Sequence, residues 1–220
     1  MSSQSFARIV GVAVATAGAL VSAPVNTPAA AADPCSDVAV VFARGTHQEP
    51  GLGNMGQAFV DSLTSQLGGR SVDVYPVNYP ANDDYHTSVA TGSDDASTQI
   101  QNTVASCPNT RIVLGGYSQG ATVIDSATTA MPGSVADNVA AVALFGEPSS
   151  GLSTTLWGGQ PLPTISPLYS SKTLSLCVQD DPICTGGGNL AAHVSYIESG
   201  MTDQAATFAA NRVGPLPNRA

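Results

Sequence analysis

Positively charged residues are scarce in this chain. Seven Lys and Arg stand against 16 Asp and Glu in 220 residues, so the formal net charge is −9 at pH 7. A protein with this excess of negative charge repels nucleic acids and anionic membranes through its long-range electrostatic field. We therefore expect no nucleic-acid partner and no function that depends on binding a polyanion.

Hydrophobic runs of membrane-spanning length are also missing. The most apolar stretch, Ile9 to Val21, has about 13 residues, whereas a helix that crosses a bilayer needs roughly 20. This stretch follows a single cation, Arg8, and leads into a run of alanines before Asp33. The pattern predicts a secretory signal peptide over residues 1–32, no transmembrane segment, and secretion to the extracellular space or the cell envelope.

No internal repeat, low-complexity block or linker divides the rest of the chain. Its length suits one domain with a single hydrophobic core. We expect residues 33–212 to form this domain, residues 213–220 to form a flexible tail, and the protein to be a monomer.

Cysteine is limited to four residues, Cys35, Cys107, Cys177 and Cys184. An even number in a secreted chain predicts two disulfide bonds, for which three pairings are possible. Cys177 and Cys184 flank an Asp-Asp-Pro turn, so local closure favours a bridge between them and would leave Cys35 with Cys107. Because Cys-x-x-Cys and His-Glu-x-x-His spacings are lacking and the three histidines are dispersed, we expect no metal. We also expect no cofactor, since the acyl transfer that the motifs below predict needs none.

Five short apolar runs alternate with helical stretches and predict β-strands. Continuous runs rich in Val, Ile and Leu are typical of strands that are buried on both faces. The runs begin roughly every 30 residues, the length of a strand-helix-strand unit. Right-handed crossovers then give a doubly wound parallel sheet with helices on both faces, an α/β fold. The predicted strands cover residues 37–43, 71–77, 111–117, 139–146 and 173–178.

Three helices are predicted between these strands. The first carries an apolar stripe from Met55 to Leu67, with one apolar residue every four positions. The second is expected to begin near Ser93, because Asp94 and Asp95 would then lie in its first turn, where acids favour the helix dipole. The third follows Ser118.

A Gly-x-Ser-x-Gly motif, Gly116 to Gly120, lies where the third strand meets the third helix. A serine hydroxyl is a weak nucleophile, so it must protrude from a sharp turn towards a base, and flanking glycines let strand and helix pack closely. This context predicts that Ser118 is a nucleophile. A turn in which Ser118 only caps the helix is the alternative.

The order of residues after Ser118 favours a catalytic triad. In hydrolases with this motif the acid and then the histidine follow the serine, and His193 is the one histidine that does so. His47 and His86 lie in polar segments and are interpreted as surface residues. Asp180 and Asp181, inside the proposed disulfide loop, are both candidates for the acid.

Three further acids lie between Ser118 and His193, and each has a structural explanation. Asp125 falls in the middle of a helix, Asp137 in a turn and Glu147 in a Gly-Glu-Pro turn. None of them is expected to be catalytic.

An oxyanion hole is needed to stabilise the negative charge that develops on the substrate during acyl transfer. The backbone N–H of Gln119, directly after the nucleophile, is one candidate donor. Thr46, in the segment Arg44-Gly45-Thr46 after the first strand, is the second candidate, with both an N–H and a hydroxyl.

With these motifs the chain resembles the cutinase family, in particular the secreted mycobacterial-type carboxylesterases. The resemblance rests on three segments in the same order: FARGT (residues 42–46), GYSQG (residues 116–120) and CVQDDPIC (residues 177–184), the last followed by a histidine about ten residues on. Family members often carry serine where this chain has Thr46.

The resemblance implies an α/β-hydrolase fold without a large lid. It also implies Asp181 as the acid, since the family's acid stands four residues after the first cysteine of the loop, and it implies the pairing of Cys35 with Cys107. The implied activity is hydrolysis of carboxylic esters. We expect short to medium acyl chains, because no lid-like insertion with an amphipathic helix is visible in the sequence. Phospholipids, triglycerides and acetylated xylan are alternative substrates, and a binding protein without catalysis is the alternative from another class.

Overall fold

Five parallel strands form a single sheet in the computed structural model, which describes residues 35–214. Their order across the sheet is β2-β1-β3-β4-β5, and every neighbouring pair is parallel. All five predicted strands are present within a few residues of their expected bounds. The strands are β1 (Val38–Ala43), β2 (Val72–Pro76), β3 (Arg111–Tyr117), β4 (Val139–Phe145) and β5 (Thr173–Leu176).

Helices cover both faces of this sheet. They are α1 (Gly53–Gln66), α2 (Tyr85–Ser106), α3 (Gln119–Ala130), α4 (Gly151–Leu156), α5 (Leu190–His193) and α6 (Met201–Val213). Alternate residues of β1 enter opposite cores: Val40 and Phe42 pack with α1 and α6, whereas Val41 packs with α2 and α3. The predicted doubly wound α/β fold is confirmed.

The predicted start of the second helix was wrong. Helix α2 begins at Tyr85, eight residues before Ser93, and the side chain of Asp84 caps it by accepting a hydrogen bond from the N–H of Thr87. Asp95 lies inside the helix and accepts hydrogen bonds from the Tyr75 hydroxyl and the Asn78 N–H. Polar residues that are typical of a helix start can lie inside α2 because contacts with other elements bury Ser93 and provide hydrogen-bond donors to Asp95.

Two disulfide bonds are present in the described residues. Cys35 pairs with Cys107, which ties the entrance of β1 to the end of α2, and Cys177 pairs with Cys184. None of the helices between residues 35 and 214 combines the length and the hydropathy that crossing a membrane requires. The signal peptide predicted over residues 1–32, and most of the predicted tail, lie outside the described residues, and α6 ends at Val213.

Candidate active site

Ser118 lies in the turn between the carboxyl end of β3 and the first residue of α3. Its backbone has φ 53° and ψ −121°, a strained conformation that residues other than glycine rarely adopt. A Cβ atom on Gly116 would lie 2.4 Å from the carbonyl oxygen of Gly120, and one on Gly120 would lie 2.0 Å from that of Ala43. Glycine is therefore required on both sides of the serine, and α3 starts directly against the end of β1.

His193, the last residue of α5, links the nucleophile to an acid. Its Nε2 atom lies 2.9 Å from the Oγ atom of Ser118, and its Nδ1 atom lies 2.8 Å from the Oδ2 atom of Asp181. Ser118 and His193 are 75 positions apart in the sequence. Three of the residues singled out in the sequence thus form one continuous hydrogen-bonded chain at the carboxyl edge of the sheet.

Asp181, rather than Asp180, faces the histidine. The Asp181 side chain is fully buried, and its Oδ1 atom accepts a hydrogen bond from the N–H of Ile183 at 2.8 Å. Asp180 is exposed and has a positive φ of 66°, and its carbonyl oxygen accepts a hydrogen bond from Asn189. The Cys177–Cys184 bridge closes the loop that carries both acids.

Two tyrosines enclose the histidine. The ring of Tyr117 stacks on that of His193 with centroids 5.1 Å apart, and its hydroxyl donates a hydrogen bond to the His193 carbonyl oxygen at 2.6 Å. Burial, followed by the negative charge of Asp181, raises the pKa of Tyr117 to about 12, so this hydroxyl remains a donor. The hydroxyl of Tyr196 donates to Asp181 Oδ2 at 2.5 Å.

Gln119 directly follows the nucleophile in the chain, and Thr46 lies in the segment that follows β1. The Gln119 N–H belongs to the first turn of α3, where amides have no intrahelical acceptor. The side chain of Gln119 is held by Ser88, whose hydroxyl donates to it at 2.9 Å, and by the carbonyl oxygen of Asn82 at 2.8 Å. Within residues 35–214, no backbone carbonyl oxygen accepts a hydrogen bond from the N–H of Thr46.

Arg44 holds the segment that carries Thr46 in place through hydrogen bonds. The sequence did not predict this role. The buried guanidinium of Arg44 donates to the carbonyl oxygens of Gln48 and Tyr79, both at 2.8 Å, and lies over the Tyr79 ring. The Tyr79 hydroxyl in turn donates to the Arg44 carbonyl oxygen. Because Arg44 and Tyr79 are 35 positions apart, no local pattern could have revealed this contact.

A comparison with known proteins identifies the family. The family model described as cutinase matches residues 34–213. The chain belongs to the cutinase family.

Relatives support this membership over nearly the full chain. The carboxylesterase Culp1 of Mycobacterium tuberculosis is 75% identical over 97% of this chain and 98% of the relative. The phospholipase Culp4 of the same species is 45% identical over 93% and 90% of the two chains. A solved Trichoderma reesei cutinase in complex with a phosphonate inhibitor has 36% identity and a TM-score of 0.67, covering 83% of this chain and 79% of the cutinase. The predicted enzyme class, a carboxylic ester hydrolase, is confirmed.

A narrow slot opens beside Ser118 in this cutinase-family protein. Its volume is about 40 Å³. Gln119 and Thr122 of α3, together with Tyr85 and Ser153, supply polar lining. Its apolar walls are formed by Val89, Pro148, Leu156, Trp157, Leu162 and Ile183.

The other two histidines of the cutinase-family protein lie on the surface, as their polar segments predict. His47 is exposed and contacts the carboxylate of Asp83 at 3.1 Å. His86 is exposed, and its ring packs on Trp157 with centroids 4.2 Å apart. The Nε2 atom of His86 lies 3.1 Å from the Trp157 carbonyl oxygen, so this histidine contacts a residue of the slot wall.

Asp125 lies in the middle of α3, as expected, but its environment is unusual for an acid. Its side chain is 1% exposed, and within the described part of the chain no N–H or hydroxyl group donates to either carboxyl oxygen. Its hydrogen-bond partner is the carboxyl group of Glu147. Burial, and then the neighbouring charge of Glu147, raises the pKa of Asp125 to about 9. The group is therefore protonated at neutral pH.

Proposed function

We propose that this cutinase-family protein is a secreted serine carboxylesterase in which Ser118 is the nucleophile, His193 the general base and Asp181 the residue that orients the histidine. The observation that carries the proposal is the pair of contacts on one imidazole, 2.9 Å to Ser118 and 2.8 Å to Asp181. A serine that served only as a helix cap would need neither contact. Its side chain also makes no capping hydrogen bond to α3.

In the first step, Ser118 Oγ attacks the ester carbonyl carbon while His193 Nε2 takes the hydroxyl proton. The tetrahedral intermediate then collapses, and the alcohol leaves with the proton that His193 returns. Water attacks the resulting acyl-enzyme with His193 again as base, which releases the carboxylic acid and restores Ser118. Asp181 keeps Nδ1 of His193 protonated, so that Nε2 is the atom that accepts the proton.

The N–H groups of Gln119 and Thr46 are proposed to form the oxyanion hole. Both lie on segments that are held rigidly: Ser88 and Asn82 fix the Gln119 side chain, and Arg44 braces the loop of Thr46. Donors fixed before the reaction need no reorganisation when the negative charge develops. Loss of one such donor typically raises the barrier by about 2.7 to 4 kcal/mol.

The slot beside Ser118 supports short to medium acyl chains as substrates. Its apolar walls favour the hydrocarbon part of an acyl group, and a slot of about 40 Å³ does not enclose a long chain. Phospholipids, triglycerides and acetylated polysaccharides are the competing substrates.

Secretion remains part of the proposal. Two disulfides are consistent with an oxidising compartment outside the cytoplasm. The signal-peptide pattern over residues 1–32 supports the same location, and a monomer is proposed as the active form.

The test compares wild-type protein with Ser118→Ala on a series of p-nitrophenyl acyl esters. Ser126→Ala makes the same chemical change on α3 and serves as the matched control. We expect Ser118→Ala to lose at least 1,000-fold in kcat/KM and Ser126→Ala to keep wild-type activity. Equal rates for wild type and Ser118→Ala would contradict the assignment of Ser118 as the nucleophile.

The substrate class is tested in parallel on wild-type protein. A kcat/KM that is highest for short to medium acyl esters supports the proposal. A higher value on phospholipid vesicles, emulsified triglyceride or acetylated xylan would reassign the substrate and leave the triad intact.

A further inference from the structure

A fourth side chain joins the hydrogen-bonded chain of the active site. Tyr196 is fully buried, and its hydroxyl lies 2.5 Å from Asp181 Oδ2, the same oxygen that faces His193 Nδ1 at 2.8 Å. We propose that Tyr196 is a positioning residue of the esterase. Its hydroxyl holds the Asp181 carboxylate in place, and the negative charge of that carboxylate is shared between the Tyr196 hydroxyl and His193. This inference rests on the proposed triad of Ser118, His193 and Asp181.

The contacts of the Tyr196 hydroxyl define its direction. A carboxylate can only accept hydrogen bonds, so the tyrosine must be the donor to Asp181. The N–H of Val178 points at the tyrosine oxygen from 3.4 Å, so that oxygen serves as an acceptor while its hydrogen points at the acid. Burial, and then the hydrogen bond to Asp181, raises the pKa of Tyr196, which keeps the hydroxyl a neutral donor.

Asp181 depends on such donors because it is a buried anion. Hydrogen bonds must replace the water that burial removes, or the charge is strongly destabilised. The carboxylate receives one donor on Oδ1, from Ile183, and two on Oδ2, from His193 and Tyr196. No cation contacts it within residues 35–214 apart from His193 when that is protonated. Removing the tyrosine hydroxyl takes away one donor of three.

The tyrosine ring is itself held in place by aromatic neighbours. It meets Phe145, Tyr117 and His193 edge-on, with centroids 6.2, 6.0 and 6.4 Å away. Its hydroxyl also lies 3.4 Å from the sulfur of Cys184. Tyr196 therefore connects the segment that carries the base to the disulfide loop that carries the acid.

Two effects of Tyr196→Phe follow from these contacts. Without the hydroxyl, the carboxylate is less constrained, so kcat falls by about tenfold, which corresponds to about 1.4 kcal/mol in the barrier. KM changes little, because Tyr196 is not among the residues that line the slot. The charge on Oδ2 is no longer shared, so protonated His193 gains stability and the acidic limb of the pH–kcat profile moves to higher pH.

Tyr169→Phe is the matched control. Tyr169 is also fully buried, but its hydroxyl has no hydrogen-bond partner within the described residues, and it packs in the core on the α2 and α3 face. The substitution removes the same atom from an equally buried ring away from the triad. We expect its kcat and pH profile to match wild type.

The experiment measures kcat and KM against pH on a p-nitrophenyl ester, and the proton resonance of His193 Nδ1–H by NMR, for wild type, Tyr196→Phe and Tyr169→Phe. The inference requires that the acidic limb and this resonance both move in Tyr196→Phe alone. An unchanged limb and resonance in Tyr196→Phe would overturn it, as would a change confined to KM.

A further substitution covers the case in which Tyr196→Phe does not fold. Replacing Tyr196 with 3-fluorotyrosine keeps the ring and makes the hydroxyl a stronger donor, so the acidic limb must move to lower pH. An unmoved limb would overturn the inference. Ser118→Ala separates the two proposals: activity that survives in Ser118→Ala refutes the triad, whereas loss in Ser118→Ala beside an unchanged Tyr196→Phe refutes only the role of Tyr196.

Discussion

Gly146 lies directly beneath the imidazole of His193. A Cβ atom at position 146 would come within 2.9 Å of His193 Cε1, and equally close to the Tyr196 hydroxyl. The backbone of Gly146 also has a φ of 57°, a value that suits glycine. The turn after β4 therefore sets how deeply the histidine can sit, and glycine is required there for space and for conformation.

Gly146→Ala is expected to displace His193 and lower kcat by at least tenfold, because a small shift of a catalytic group costs a large factor in rate. Gly68→Ala is the control: Gly68 has a similar φ of 64°, and a Cβ atom added there would meet nothing within 4 Å. Both variants should lose about 1 kcal/mol of stability from backbone strain, measured by urea denaturation. Equal kcat values for the two variants would contradict the steric role of Gly146.

One disulfide is expected to matter mainly for activity and the other mainly for stability. Replacing Cys177 and Cys184 with serine opens the loop that holds Asp181. Of the two double variants, this one should lose more kcat/KM. Replacing Cys35 and Cys107 with serine removes a bridge between residues 72 positions apart. Of the two double variants, this one should lose more free energy of unfolding. The loop-entropy model gives about 2.5 kcal/mol for the short loop and about 4.4 kcal/mol for the long one.

The readouts for the disulfide pairs are kcat/KM and the free energy of unfolding from urea titration. Titration of the wild-type protein with dithiothreitol is a second test. Activity should decline at a lower dithiothreitol concentration than near-UV ellipticity does. Simultaneous loss of both signals would show that the short bridge does not act on the site separately from the fold.

Asp125 gives the protein a pH-dependent stability. In the native state the carboxyl keeps its proton up to a pKa of about 9, whereas in the unfolded chain it loses the proton near its ordinary value of about 3.9. Between these values the unfolded state binds fewer protons, so stability falls as pH rises, by at most about 1.4 kcal/mol per pH unit. Above about pH 9 this contribution ends.

Asp125→Asn should remove that slope. The variant is expected to gain stability over wild type, and to gain more at about pH 8 than at about pH 5, in urea denaturation at both values. Asp137→Asn, on the exposed turn before β4, is the control for the chemical change. A gain for Asp125→Asn that is the same at both pH values would contradict the protonated state assigned to Asp125.

Arg44 should be needed for catalysis without contacting substrate. Arg44→Lys cannot reproduce the two hydrogen bonds and the stacking of a planar guanidinium, so the loop that carries Thr46 should loosen. We expect kcat to fall by about tenfold with a smaller change in KM. Arg111→Lys, whose side chain donates to the carbonyl oxygen of Asp137 on the surface, is the control, and a wild-type kcat in Arg44→Lys would show that the brace is dispensable.

Local patterns in the sequence were sufficient to predict the strands and the sharp turn at Ser118. They also proposed the candidate site residues, but they left Asp180 and Asp181 both open as the acid. Continuous apolar runs define buried strands because a parallel sheet needs hydrophobic residues on both faces. The motif around Ser118 is readable because a strained turn needs small neighbours. Local patterns failed at the start of α2, where Ser93 is buried and Asp95 is satisfied by contacts from other elements.

What the sequence by itself determined is which residues can do chemistry and in which order they occur along the chain. The fold alone decided which of them meet, because Ser118, Asp181 and His193 come together only when parallel strands end at the same edge of the sheet. The same holds for Tyr196 against Asp181, Arg44 against Tyr79 and the buried carboxyl of Asp125. These contacts depend on three-dimensional packing, which no spacing along the chain encodes.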